Sequence, residues 1–169
     1  MAKQVAVISD THGYLSEGLL DALDGADLIV HAGDICSESD YRTLQGIAPV
    51  KLCLGNNDWG YDYGPGVKRH IHFLYEGALW QVCHYEEKLD LMWGSIAVCG
   101  HTHKPFFEHT KRGILLMNPG SPTYPRTSKG PSIGWIEIEK GKVLDARIEY
   151  LAKDEDADDE DRGGFFFGW

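Results

Sequence analysis

The chain has 169 residues, with 26 acidic side chains against 16 Lys and Arg, for a formal charge of -10. That length fits one domain with a core of its own, and 43% hydrophobic content excludes a chain disordered throughout. The acidic balance, with a pI near 5.1, gives no strong signal for nucleic acid, because a nonspecific binder needs a basic face to displace counterions. No apolar run has the length of a helical membrane span, and no secretory leader is expected from the opening Met-Ala-Lys-Gln. Cys36, Cys53, Cys83 and Cys99 form no CxxC pair. Neither a zinc ribbon nor a thioredoxin-type site is therefore expected, and a reducing, cytoplasmic location is.

In chain order, the β-branched apolar run at 5–8 predicts a buried strand. Residues 15–23 have helical spacing, and 28–30 form a second buried strand. Ser37 or Ser39 can cap a helix to about residue 47, with Pro49 after its end. Residues 50–54 make a third strand. This β-α-β-α-β order predicts a parallel sheet with crossover helices. Residues 55–66 are a loop rich in Gly, Asn and Asp. Strands at 70–75 and 78–83 flank Glu76-Gly77 as a hairpin, and one or two helical turns come next at 86–92. A short strand at 96–99 precedes a second hairpin at 106–117. A Pro- and Gly-rich loop covers 119–132, and a third hairpin covers 133–151. The first third thus reads as α/β and the remainder mostly as β hairpins.

The charge is concentrated at one end. Residues 153–162 hold seven acids and two bases, half of the net charge, and Phe165, Phe166, Phe167, Gly168 and Trp169 come after them. The expected organisation is one domain over 1–152 and an acidic, then aromatic, tail over 153–169. The acidic run reads as solvated. The aromatic end either frays or docks on its own domain or a partner.

The residues with chemical potential sit just past the strand ends. Asp10-Thr11-His12-Gly13, His31-Ala32-Gly33-Asp34, Gly55-Asn56-Asn57-Asp58, His84 and Gly100-His101-Thr102-His103 come after five of the predicted strands. Parallel strands bring their C-terminal ends to one edge, where α/β sheets build their sites. Carboxylate, imidazole and amide together suit first-row divalent metals such as Mn, Fe, Ni, Co or Zn. The lack of a thiolate-rich cluster argues against a structural zinc site. Gly13, Gly33, Gly55 and Gly100 let the backbone turn beside such ions. Single elements of this kind are common, and their order at five strand ends carries the signal. His31, His70 and His72 read as structural residues, and His109 as a surface residue.

These motifs resemble the calcineurin-like metallophosphoesterases over about residues 3–150. The wording SDTHG at 9–13, HAGD at 31–34, GNND at 55–58, GHTH at 100–103 and NPGS at 118–121 is similar to the small YfcE-like phosphodiesterase branch, which includes the scaffold Vps29. The resemblance implies a two-sheet β-sandwich flanked by helices. It implies one metal ion on Asp10, His12, Asp34 and His103, and a second on Asp34, Asn56, His84 and His101, with Asp34 bridging. Asp34, Asn56 and His101 would be the catalytic members. Two divalent ions, manganese foremost, would activate a bridging hydroxide for in-line attack on phosphorus. The implied function is hydrolysis of small or nucleotide-like phosphodiesters. A phosphomonoesterase and a protein-binding scaffold with a vestigial site are the alternatives. A homo-oligomer is compatible with the branch.

Four positions depart from the family's pattern or border the ligands. Asn57 stands where many members have a His, and an amide cannot act as an acid. His84 is followed by Tyr85 and Glu86 rather than Gly and His, which reshapes the pocket mouth. Asp58 can orient a ligand or water. Trp59, Tyr61 and Tyr63 either form a stacking wall or fold their own loop, and Asn118 and Ser121 either support the site or shape their turn.

Overall fold

The computed structural model describes residues 1–152, and the expected tail over 153–169 lies outside them. Two five-stranded sheets pack face to face. The first has the order β10-β9-β1-β2-β3 and the second β4-β5-β6-β8-β7. The strands are β1 (Lys3–Ile8), β2 (Leu28–His31), β3 (Val50–Leu52), β4 (His70–Tyr75), β5 (Ala78–Cys83), β6 (Ile96–Val98), β7 (Phe106–His109), β8 (Leu115–Asn118), β9 (Ser132–Glu139) and β10 (Lys142–Tyr150).

Successive side chains of a strand point to opposite faces, so β1 feeds two cores. Val5 and Val7 point between the sheets, where they join Val30, Trp80, Val82, Val98 and Met117. Ala6 and Ile8 point outward and are covered by Leu19, Leu23 and Leu44. That double burial is why the strand reads as a continuous apolar run.

The covering residues belong to α1 (Glu17–Ala22) and its C-terminal flank, and to α2 (Glu38–Gln45). Each helix starts at a serine whose hydroxyl accepts a main-chain N–H: Ser16 from Leu19 at 3.0 Å and Ser37 from Asp40 at 3.1 Å. Both helices lie against the first sheet. The outer face of the second sheet, at Ala97, Cys99, Ile114 and Leu116 with Phe106 of β7 beside them, is covered instead by Leu89 and Leu91. The turns expected at 86–92 reduce to one 3-10 turn, Glu86–Lys88. No helix among the described residues is long and apolar enough to cross a membrane.

Pairing in the second half differs from a run of hairpins. The hairpins β4–β5, β7–β8 and β9–β10 form as expected, but β6 lies parallel to both β5 and β8. The connections 84–95 and 99–105 with β7 return the chain to the same edge each time. The last hairpin leaves the second sheet altogether, because β9 pairs antiparallel with β1. β3 ends at Leu52 rather than Leu54, although Cys53 N–H still donates to the His31 carbonyl of β2 at 3.1 Å. Cys53 bridges to Lys68, and Leu54 N–H donates to the Lys68 carbonyl at 2.9 Å.

Candidate metal centre

Six parallel strands, three in each sheet, bring Asp10, His12, Asp34, Asn56, His84, His101 and His103 to one edge of the sandwich. Two groups of potential ligand atoms form there, each within 4.8 Å of one another: Asp10, His12 and His103, and Asp10, Asp34 and His84. Asp10 Oδ1 lies 3.3 Å from His103 Nε2 and 3.7 Å from both His12 Nε2 and His84 Nε2. Asp34 Oδ2 lies 3.3 Å from His84 Nε2 and 3.9 Å from His12 Nε2. His101 flanks the second group, its ring centroid 5.1 Å from that of His84 and its main-chain N–H on Asp10 Oδ2 at 2.9 Å. Asn56 is half-buried in the loop after β3. Asp10 thus belongs to both groups, whereas the family resemblance implies Asp34 as the shared ligand.

The donor set fits a divalent cation. His84 Nδ1–H donates to the Ala32 carbonyl at 2.8 Å, and His103 Nδ1–H donates to the Tyr124 carbonyl at 2.5 Å. A neutral imidazole that donates through Nδ1 presents a lone pair on Nε2, and both Nε2 atoms face carboxylate oxygens. Asp10 Oδ1, His84 Nε2 and His101 Nδ1 are buried and have no hydrogen-bond partner among the described residues. Acceptors facing acceptors in a buried cluster call for a cation between them, and histidine ligands commonly send their other N–H to a carbonyl in this way.

The titration behaviour points the same way. Burial works against the Asp10 carboxylate, but the close histidines His103, His12 and His84 hold its pKa well below the usual range. Burial likewise works against charge on His84, yet the Asp34 and Asp10 carboxylates lift its pKa to about 9. A metal ion at this position competes with that proton.

A layer of hydrogen bonds fixes the ligand loops. The Asp58 carboxylate accepts the main-chain N–H groups of Asp34 and Gly55, each at 2.7 Å, and of Cys36 at 2.9 Å. Burial raises the Asp58 pKa, and those three N–H bonds oppose the rise. Asn57 holds Asp34 twice, through its main-chain N–H on Oδ1 at 2.8 Å and its side-chain amide on Oδ2 at 3.0 Å. Ser9 Oγ donates to Asp10 Oδ2 at 2.6 Å. Ser121 Oγ donates to the Asp10 carbonyl at 2.8 Å, and Thr123 Oγ1 to the Thr11 carbonyl at 2.9 Å. Asn118 Nδ2 donates to the Gly100 carbonyl at 3.0 Å. The 118–123 loop therefore ties the first ligand loop to the last.

Glycines are required here for two different reasons. Gly13 and Gly33 have positive φ, +79° and +103°. Gly55 and Gly100 do not. A Cβ on Gly55 would fall on the Asp34 carboxylate, and one on Gly100 would fall on the Ser9 hydroxyl and 2.8 Å from Asp10 Oδ2. The second pair therefore serves close packing rather than a turn.

His31 is structural. Its Nδ1 accepts the Gly33 N–H at 3.1 Å, so Nε2 carries the proton and donates to Thr11 Oγ1 at 3.0 Å. Complete burial lowers its pKa to about 3. His70 Nε2 donates to Gln81 Oε1 at 3.0 Å, and His72 stacks between His70 and Trp93, so both belong to the sheet surface. His109 is exposed.

The aromatic residues divide by role. Tyr63 is buried, donates to Asp58 and stacks on Tyr61, so it folds its loop. Trp59 is 80% exposed. Tyr85 stands edge-on to His101 with centroids 4.7 Å apart. Sequence reasoning missed Ser9, Thr11 and Thr123, and the carbonyls of Ala32 and Tyr124. Ser9 and Thr11 adjoin ligand positions within a motif, and that adjacency was a usable signal. The two carbonyls had no side-chain signal at all.

Comparison with known proteins agrees with this geometry. The sequence model for the calcineurin-like phosphoesterase superfamily domain matches residues 4–141. A protein from Methanothermobacter thermautotrophicus, named as a probable metallophosphoesterase, is 35% identical over 160 residues, covering 85% of this chain and 90% of that protein. Among solved structures, the vacuolar protein sorting 29 of Cryptosporidium parvum superposes with a TM-score of 0.69 at 20% identity, covering 90% of this chain and 99% of that one. YfcE, a phosphoesterase from E. coli, superposes with a TM-score of 0.64 at 22% identity, covering 85% and 98%. Sequence match, sandwich topology and the ligand-bearing edge agree, and the chain belongs to the calcineurin-like phosphoesterase superfamily.

Proposed function

We propose that this protein is a metal-dependent phosphoesterase that hydrolyses small or nucleotide-like phosphodiesters with two divalent ions, manganese foremost. Asp10, His12, Asp34 and His103 would hold one ion, and Asp34, Asn56, His84 and His101 the other. The reading is carried by the orientation of His84 and His103, whose Nδ1–H groups are spent on carbonyls while their Nε2 lone pairs converge on Asp10 and Asp34. When bound, such ions supply Lewis acidity toward phosphoryl oxygens and a hydroxide nucleophile at neutral pH.

The chain's own groups do the positioning. Asn57 and Asp58 fix the Asp34 loop, and Ser9 and Ser121 fix the Asp10 loop. Cys36 is no rival nucleophile, because burial and the neighbouring acids push its thiol pKa up. Asn57 cannot protonate a leaving group, so aryl esters should react best. The four cysteines are free, which supports a reducing, cytoplasmic setting, and a homo-oligomer belongs to the same reading. The scaffold alternative is disfavoured because all seven positions keep ligating side chains at one edge.

The test is hydrolysis of bis(p-nitrophenyl) phosphate with Mn or Ni by the purified protein, with p-nitrophenyl phosphate as the monoester comparison. Faster diester turnover that disappears in Asp34→Asn is expected. Failure with every divalent ion tried would sink the phosphoesterase reading, and faster monoester turnover would replace diesterase with monoesterase.

A further inference from the structure

Beside His84 lies a cavity of about 70 Å³ whose lining includes Leu54, Gly55, His84, Tyr85, Arg69 and Lys88. The topology explains why two cations arrive there. His70 pairs with Cys83 across the β4–β5 hairpin, so Arg69 stands opposite His84. Lys88 closes the 3-10 turn that comes after β5. Gly55 comes from the Asn56 loop, so the cavity borders two of the loops that carry candidate metal ligands. Neither Arg69 nor Lys88 forms an ion pair among the described residues. Glu86 and Glu87, the acids adjacent in sequence, do not line the cavity.

Arg69 and Lys88 are exposed, and two cations without an ion pair among the described residues, set beside the site of an acidic protein, suit an anion. A cavity of this size suits a compact group. A guanidinium fork matches phosphate oxygens two at a time, and an ammonium adds a point charge.

We propose that Arg69 and Lys88 form a subsite for a second phosphate of the substrate, so that the site takes phosphoesters bearing two phosphate groups in preference to those bearing one. This rests on the phosphoesterase reading and sharpens its substrate class.

The test compares adenosine diphosphate with adenosine monophosphate as ligands of the full chain in excess Mn, by thermal denaturation at increasing ligand. The diphosphate should bind about tenfold more tightly, as one or two charge-assisted hydrogen bonds would give. The Arg69→Gln, Lys88→Gln double variant should lose that preference. Lys111→Gln with Arg112→Gln, which removes the same charge from the β7–β8 turn at the opposite edge, should keep it. Equal binding of the two nucleotides by the wild type, or a preference that survives in the first variant, overturns the subsite. Hydrolysis of bis(p-nitrophenyl) phosphate by the wild type is read in parallel. If it fails while the tenfold preference stands, the phosphoesterase reading falls and the anion subsite remains. If it succeeds without the preference, only the subsite falls.

Discussion

The two edges of the sandwich handle left-handed backbone in opposite ways. At the edge away from the site, Glu76-Gly77 and Lys140-Gly141 join β4 to β5 and β9 to β10, with positive φ at both residues of each turn. Such two-residue turns match the twist of their strands. They also touch each other, since Gly141 N–H donates to the Glu76 carbonyl at 2.6 Å. At the site edge, Asp10, His12, Asp34, Cys36, His101 and His103 all have φ between 52° and 73°. None is glycine, and each such residue costs on the order of 1 kcal/mol or more. The far edge uses turn chemistry to meet a turn's demand. The site edge holds candidate ligands in a costly conformation, and it does so with hydrogen bonds to Asp58 and from Asn57, Ser121 and Asn118, and with close-packed glycines.

This contrast can be broken by substitution. The largest effect is expected from Gly100→Ala, which drives a methyl group onto Ser9 and toward Asp10. Displacing a candidate ligand loop by about an ångström should lower kcat/KM by about 100-fold. At the far edge, Gly113→Ala meets open space and only the strain of φ +82°. It should cost about 1 kcal/mol in urea denaturation and leave turnover intact.

A second contrast is in pH dependence. His31 is buried neutral under the site edge, with its pKa lowered to about 3, whereas the unfolded chain protonates a histidine near 6.5. Below pH 6.5 the unfolded state therefore binds the extra proton. The stability associated with this residue is full above pH 6.5 and falls by about 1.4 kcal/mol per pH unit toward pH 3. Urea denaturation across that range should show a steeper slope for the wild type than for His31→Gln. Equal slopes would mean that His31 is already protonated in the fold.

Smaller effects come from the ties between loops. Ser121→Ala removes the hydroxyl that holds the Asp10 carbonyl and should lower metal affinity by about tenfold, read by metal titration of activity. The smallest change is Glu76→Asn, which puts the residue best suited to left-handed backbone ahead of Gly77. It should stabilise the fold by about 0.5 kcal/mol with no effect on turnover.

Much of this was legible in the chain itself. Both helices, the ten strands and the three hairpin turns were marked by apolar periodicity, by the alternative caps at Ser37 or Ser39, and by Gly77, Gly113 and Gly141. The candidate ligand residues were marked by their place after strands. The illegible part is instructive. A strand does not declare its partner, so the parallel seating of β6 and the return of β9 to β1 were invisible. Gly55 and Gly100 read as turn glycines because a sequence records the missing side chain and not the atom that would occupy its place.

By itself, then, the sequence determined the inventory: which residues carry carboxylate, imidazole and amide groups, and that they come after buried strands. Local pattern is enough for that, because alternation and caps depend on near neighbours. Only the tertiary structure decided that Asp10, Asp34, His84 and His103 face one another, and that the carbonyls of Ala32 and Tyr124 fix the two imidazoles. It alone set Arg69 and Lys88 beside His84. Every residue carries a main-chain carbonyl and cations are scattered along the chain, so nothing local distinguishes those that the fold brings to the site.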